Sequence, residues 1–152
     1  MAVAITGTPV ADTNSTVDIT VPADAILLLV TCSMYPWAGT ITGVVCGTEA
    51  LTEGLSSGNG SIWYKVLPTA QTATITATLS GGFGVCVTGI CFKGCGERAP
   101  TFSYGTTTVT VTTEAGDYLL DAYGSGSGES NAHSNQGTDI IDYYYDPGSG
   151  NR

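Results

Sequence analysis

This 152-residue sequence is short of almost everything that acid–base chemistry or nucleic-acid binding requires. Only 11% of its residues are charged, and four Lys and Arg stand against thirteen Asp and Glu, a net charge of -9. Contact with a phosphate backbone needs clustered cations, and an anionic bilayer surface attracts the same residues. Neither nucleic acid nor a membrane is therefore an expected partner. The one histidine, His133, sits in SGSGESNAHSNQG, a run of turn-forming residues that would hold a catalytic group loosely. No apolar run approaches the roughly 18 residues of a bilayer span. The opening MAVAITGTPV has neither a basic segment nor a long apolar stretch, so no secretory signal is expected. No segment pairs a 3.6-residue apolar period with helix caps.

What is abundant is threonine, 24 residues, and glycine, 21. Threonine favours strands and glycine favours turns. Strand signals recur at short, even spacing: VDITVP (17–22), AILLLVTC (25–32), TITGVVCG (40–47), a brief EALTE, SIWYKVL (61–67), TATITATLS (72–80), GVCVTGICF (84–92), TTTVTVTT (106–113), DYLLDAYG (117–124) and DIIDYYY (139–145). TATITATLS alternates threonine with apolar residues, as a strand with one wet face does. AILLLVTC is apolar throughout, which suits a strand covered on both faces. Between them lie SSGNGS, SGG, EAGD and GSGSGES, all of turn composition.

This pattern predicts an all-β protein, an antiparallel β-sandwich of jelly-roll or Ig-like type with essentially no helix. Residues 1–124 would form the core of the sandwich. Residues 125–138 would be a Gly/Ser-rich loop, and 139–152 a terminal strand with an acidic, Tyr-rich tail of the same domain. Leu27, Leu29, Ile62, Ile75, Leu79, Ile90, Phe92, Val109 and Val111 are expected to face a core.

The residues that could carry chemistry do not assemble into a recognisable site. Cys32, Cys46, Cys86, Cys91 and Cys95 are odd in number, contain no CxxC, and lack a standard zinc spacing. Their place in apolar strands favours buried, reduced thiols filling a core. A disulfide or a metal site stays open as an alternative. Asp139, Asp142 and Asp146 do not match the EF-hand spacing. There is no GxSxG elbow, and GSGSGES lacks the lysine of a phosphate loop. No catalytic residue, cofactor or metal ligand is expected. Asn14-Ser15-Thr16 and Asn59-Gly60-Ser61 fit the glycosylation sequon, which means little without a route of secretion. The acidic surface concentrates towards the end: residues 101–152 carry seven acids and one base. Tyr143, Tyr144 and Tyr145, together with Trp37 and Tyr35, are the candidate interface residues, because large, stiff aromatics anchor protein interfaces. Tyr123 is a further aromatic of this kind.

The order ILLLV, TGVVCGTEALT, SIWYKVLPTAQTATITATLSG, GICFKGC and TVTVTTEAGDYLLDAYG resembles an all-β sandwich domain that recurs in tailed-phage virion structural proteins and some bacterial surface proteins. The resemblance covers roughly residues 15–145 and is specific for a fold, not for a task. Cys46, Cys91 and Cys95 depart from it, standing where members usually carry Tyr, Ser and Val. Members often continue for further strands, so either this sandwich closes early or a neighbour covers an edge. The resemblance implies a β-sandwich and brings no catalytic residues; together with the scarcity of acid–base pairs and a net charge of -9 that repels nucleic acid, it leads to the expectation of a non-enzymatic structural protein on the outer surface of a virion. The first expectation is a capsid decoration (cement) protein that clamps neighbouring shell subunits. Its partners would be the major capsid protein or other virion proteins, and it would be a homo-oligomer. The alternative is a tail, collar or fibre module that binds a host receptor or glycan.

Overall fold

The computed structural model describes residues 3–34, 39–57, 60–81, 84–97 and 99–103. These form nine strands, with no helix among the described residues. They are β1 (Ala4–Asp12), β2 (Thr16–Val21), β3 (Leu27–Met34), β4 (Ile41–Cys46), β5 (Glu49–Ala50), β6 (Thr52–Ser57), β7 (Gly60–Val66), β8 (Gln71–Leu79) and β9 (Val85–Lys93). A five-stranded sheet runs β1-β9-β3-β7-β6, and a four-stranded sheet runs β2-β8-β4-β5. Every pairing is antiparallel. The two sheets pack as a β-sandwich, the architecture the alternating segments predict. The expected strands at 106–113, 117–124 and 139–145, with Val109 and Val111, lie outside the described residues.

Among the described strands the chain passes from one sheet to the other six times, and two of these crossings are the shortest. At one, β1 hands over to β2 through a turn at Asp12, whose Oδ1 accepts the Asn14 backbone N–H at 3.2 Å and the Asn14 side-chain amide at 2.7 Å. This is the local bonding for which Asp and Asn are favoured in turns. At the other, β5 runs into β6 through buried Leu51. The β4–β5 hairpin turns on Gly47, whose φ of 60° at the first central position is what a type II′ turn requires.

The core between the sheets comes from alternate residues. β8 contributes Ile75 and Ala77, β2 contributes Ile19 and Val21, and β4 contributes Val44 and Cys46. From the facing sheet come Leu28, Val30, Cys32 and Met34 of β3, Val85, Val87 and Cys91 of β9, and Trp63 of β7. Trp63 is buried with its polar handle satisfied, its Nε1–H donating to Ser61 Oγ at 2.8 Å. The sheets interlock at one point. A Cβ on Gly89 of β9 would lie 2.5 Å from Ile75 Cδ1, so the isoleucine of one sheet sits in the gap left by the glycine of the other.

The expected core residues divide. Ile75 is fully buried between the sheets, and Leu79 packs at the rim of that core. Leu27, Leu29, Ile62, Ile90 and Phe92 point the other way, into a second cluster on the outer side of the five-stranded sheet. The reason is that β3 is apolar on both faces, so composition fixes its burial but not which set points inward. Tyr64, Phe102 and Cys95 pack on this outer cluster. The Tyr64 and Phe102 rings lie 5.6 Å apart, and the Phe102 ring lies directly over Gly54 of β6.

Replacing Gly89 by Ala should destabilise the fold by about 1–3 kcal/mol through overpacking. At Gly43 nothing lies within 4 Å of an added Cβ, and Ala there should be close to neutral. Urea unfolding of the two variants checks both expectations.

Candidate functional site

Two outer faces and a set of thiols make up what the described residues offer to a partner. The outer face of the four-stranded sheet is a field of hydroxyls. Thr72, Thr74, Thr76 and Thr78 line it along β8, with Thr16, Asp18 and Thr20 opposite them on β2. Strand alternation puts them there: each neighbours a core residue that points inward. The hydroxyls bind one another. Thr20 and Thr72 share a hydrogen bond at 3.2 Å, Thr74 Oγ1 donates to Asp18 Oδ1 at 2.6 Å, and Thr40 and Ser80 pair at 2.7 Å. Thr42 donates to the Thr78 carbonyl at 3.2 Å. Cross-strand contacts of this kind stiffen a sheet by a few tenths of a kcal/mol each. The outcome is a broad, nearly neutral polar face.

The outer face of the five-stranded sheet has two halves. One carries the apolar cluster of Leu29, Ile90 and Phe92. The other carries Thr31 and Thr88, which sit opposite each other and share a short hydrogen bond, with Ser33 and Cys86 beyond them. At the apolar end Asp24 makes a clasp. Thr6 Oγ1 donates to its Oδ1 at 2.7 Å, and Lys93 Nζ lies 2.9 Å from its Oδ2. The Thr6 hydrogen bond first, and Lys93 second, hold the Asp24 carboxyl below the usual carboxylate range. The clasp is exposed, so it positions β1 and β9 more than it stabilises them.

Among the described residues, no group of three or more His, Cys, Asp or Glu is placed to hold a metal ion. The five thiols are free. Cys32, Cys46 and Cys91 are buried in the core, while Cys86 and Cys95 are half-buried. Burial pushes the Cys32 thiol up to about 12 and those of Cys86 and Cys91 up to about 11. Secondary contributions come from Cys86 on Cys32, Asp12 on Cys86 and Cys46 on Cys91. Cys46 and Cys95 are raised by burial as well. Such thiols are protonated near neutral pH and make poor nucleophiles.

The candidate interface residues Tyr35, Trp37, Tyr143, Tyr144 and Tyr145 lie outside the described residues, as do Tyr123, His133, Asp139, Asp142 and Asp146. Threonine alternation by itself reads as a solvated strand face, so the sequence does not single out the hydroxyl face as a site. The signal that could have flagged it is its repetition on two paired strands. No protein-family model, no curated protein and no solved structure matches this chain.

Two outcomes follow for the thiols. In the native protein Cys86 and Cys95 should react first with a thiol reagent, and Cys32, Cys46 and Cys91 only after denaturation, as thiol counting would show. Stability should be full below pH 9, where the unfolded thiols also stay protonated, and should fall as pH rises towards 11–12. Over that range only the unfolded chain releases these protons. Cys32→Ala should reduce the alkaline slope by about 1.4 kcal/mol per pH unit, measured as urea midpoints against pH.

Proposed function

We propose that this chain is a non-enzymatic structural protein of the outer surface of a virus particle, a capsid decoration protein that clamps neighbouring shell subunits. The observation that carries the reading is the broad hydroxyl face of the four-stranded sheet, with Thr72, Thr74, Thr76 and Thr78 as its central row. A hydroxyl-rich face of this kind, with Asp18 as the carboxylate of its β2 row, can make many modest hydrogen bonds to a regular surface with only a shallow salt dependence. Each contact is weak, and repetition on a symmetric lattice makes the array avid. The sandwich behind the face is braced by six chain crossings and an interlocked core, so it can carry load across a subunit seam.

Charge and sequence support the same reading. A net charge of -9 is repelled by packaged nucleic acid and suits the exterior of a shell. The strand-by-strand resemblance to a sandwich domain of tailed-phage virion proteins points to the same setting. On this proposal the partner is the major capsid protein, and the aromatic residues Tyr143, Tyr144, Tyr145, Trp37 and Tyr35 add anchors to the contact.

Particles lacking the protein should assemble but release their contents at a lower temperature, and adding purified protein back should restore heat resistance. The acidic Tyr-rich segment, residues 139–152, should contribute to attachment, so its deletion should weaken particle binding more than it lowers the melting temperature. Particles that keep their heat resistance without the protein but fail to adsorb to host cells would overturn the decoration reading in favour of a receptor-binding tail module.

A further inference from the structure

Leu67, in the turn from β7 to β8, breaks two rules at once. Its backbone φ is 51°, the sole positive φ outside glycine among the described residues, and at 51% it is their one exposed large hydrophobic side chain. An exposed leucine means little alone, since much of any protein surface is apolar. A left-handed backbone is different. It crowds the Cβ of a bulky residue against the following carbonyl, and glycine or asparagine takes such positions at far lower cost. The next residue is Pro68, whose ring ordinarily pushes the residue before it into extended backbone.

The surroundings hold the turn in this shape. Leu67 N–H donates to the Ile26 carbonyl at 2.8 Å, on the β2–β3 turn. Pro68 is buried. The Thr69 N–H and hydroxyl both donate to the Glu49 carboxylate, at 3.0 and 2.9 Å, and Gln71 Nε2 donates to the same group at 3.4 Å. None of these contacts uses the Leu67 side chain, which belongs to neither apolar cluster. Glycine would keep every one of them and shed the strain. Backbone strain held in place by its surroundings points to a role for the side chain beyond folding.

The setting shows what that side chain fits. Val21 lies opposite Gln71 and Leu27 opposite Val66, so the loops 22–26 and 67–70 share one end of the sandwich. Ala23, Thr69 and Ala70 are exposed there with Leu67. The carboxylates of this end are engaged, Asp24 by Thr6 and Lys93, Glu49 by Thr69 and Gln71. The turn runs straight into β8, which carries the central threonine row of the hydroxyl face. The result is an apolar knob among small residues at the head of a polar face. A lipid surface suits it poorly, because one leucine buries little and anionic headgroups repel a net charge of -9.

We infer that Leu67 is the anchor that fixes the shell contact in place, its side chain entering an apolar pocket one side chain deep on the shell subunit that the hydroxyl face covers. This anchor presupposes the decoration reading and deepens it. The hydrogen bonds of the face select weakly, because hydroxyls bond to many polar surfaces. A rigid leucine selects strongly: it is fully buried only where a matching pocket lies at the right distance. The turn is locked before contact, so little ordering remains to be done on binding.

Particles lacking the protein, titrated with purified full-length chain and read by co-sedimentation, test this together with melting of the isolated variants. Leu67→Gly and Leu67→Asn relieve the left-handed backbone, so both should melt at or a few degrees above the parent. Both should bind the particles about tenfold or more weakly. Leu67→Met keeps an apolar side chain of similar size and should bind within about threefold of the parent. A clear fall in melting temperature for both the Gly and Asn variants would mean that the chain itself covers the side chain, and overturns the inference. So does particle binding unchanged by either, a loss with Met as large as with Gly, or parent binding to phosphatidylcholine vesicles that Leu67→Gly abolishes. A parent that does not bind the particles overturns the decoration reading and this anchor together. A parent that binds equally well without Leu67 overturns the anchor alone.

Discussion

The seating of Ile75 from one sheet over Gly89 of the other is the constraint on which the rest of the sandwich depends. Sheets pack about 10 Å apart when ordinary side chains interdigitate. Here a fully buried isoleucine fills the space above a glycine, and any side chain at that glycine would collide with it. Ile19 and Val10 close around the same glycine, and the core beyond it mixes Val30, Val44, Val87, Ala77, Cys46 and Cys91 with the larger Leu28, Met34 and Trp63. This accounts for the cysteines without chemistry. A thiol is a compact apolar filler, and three of the five lie in the core next to this contact or along the same strands.

A second consequence is the difference between the two outer faces. The four-stranded sheet buries one side only, and its strands alternate cleanly. The central strands of the five-stranded sheet, β3 and β9, are apolar on both sides over part of their length, and the excess is gathered into the outer cluster under Phe102. The protein therefore presents one polar sheet face and one that is half apolar, half hydroxyl. Phe102 can lie flat on that sheet because Gly54 gives β6 no side chain where the ring rests.

Much of this was legible in the residues, and the failures have physical causes. TATITATLS could be read as a half-wet strand because period two is unambiguous when threonine and alanine or isoleucine alternate, and β8 runs over almost the same residues. LLLV could be assigned to burial but not to a face, since a run without polar residues has no register. β1 went unread because Gly7 and Pro9 break its pattern, although the break is a register shift inside one strand. β6 was missed because SSGNGS looks like turn throughout, whereas Ser56 and Ser57 belong to one strand of the hairpin, and Gly60 and Ser61 to the other. The hydroxyl face needed pairing information: alternation within β8 was visible, but its alignment with Thr16, Asp18 and Thr20 depends on a partner more than fifty residues away.

The topology also sets the order in which the chain can complete itself. Among the described residues β1 pairs only with β9, Ala4 against Lys93, and β2 with β8, Thr16 against Thr76. The first two strands made therefore have no partners until most of the described sandwich has been synthesised. At about 5–20 residues per second the N-terminal strands wait several seconds with their ladders open. Closing such long loops is entropically costly, and folding dominated by non-local pairing is slow. The β3–β7 and β6–β7 pairings, which span far shorter loops, are the ones available first. Gly7 and Pro9, which lie in the irregular stretch of β1 in the finished protein, also disfavour stray strand pairing during the interval before β9 is made.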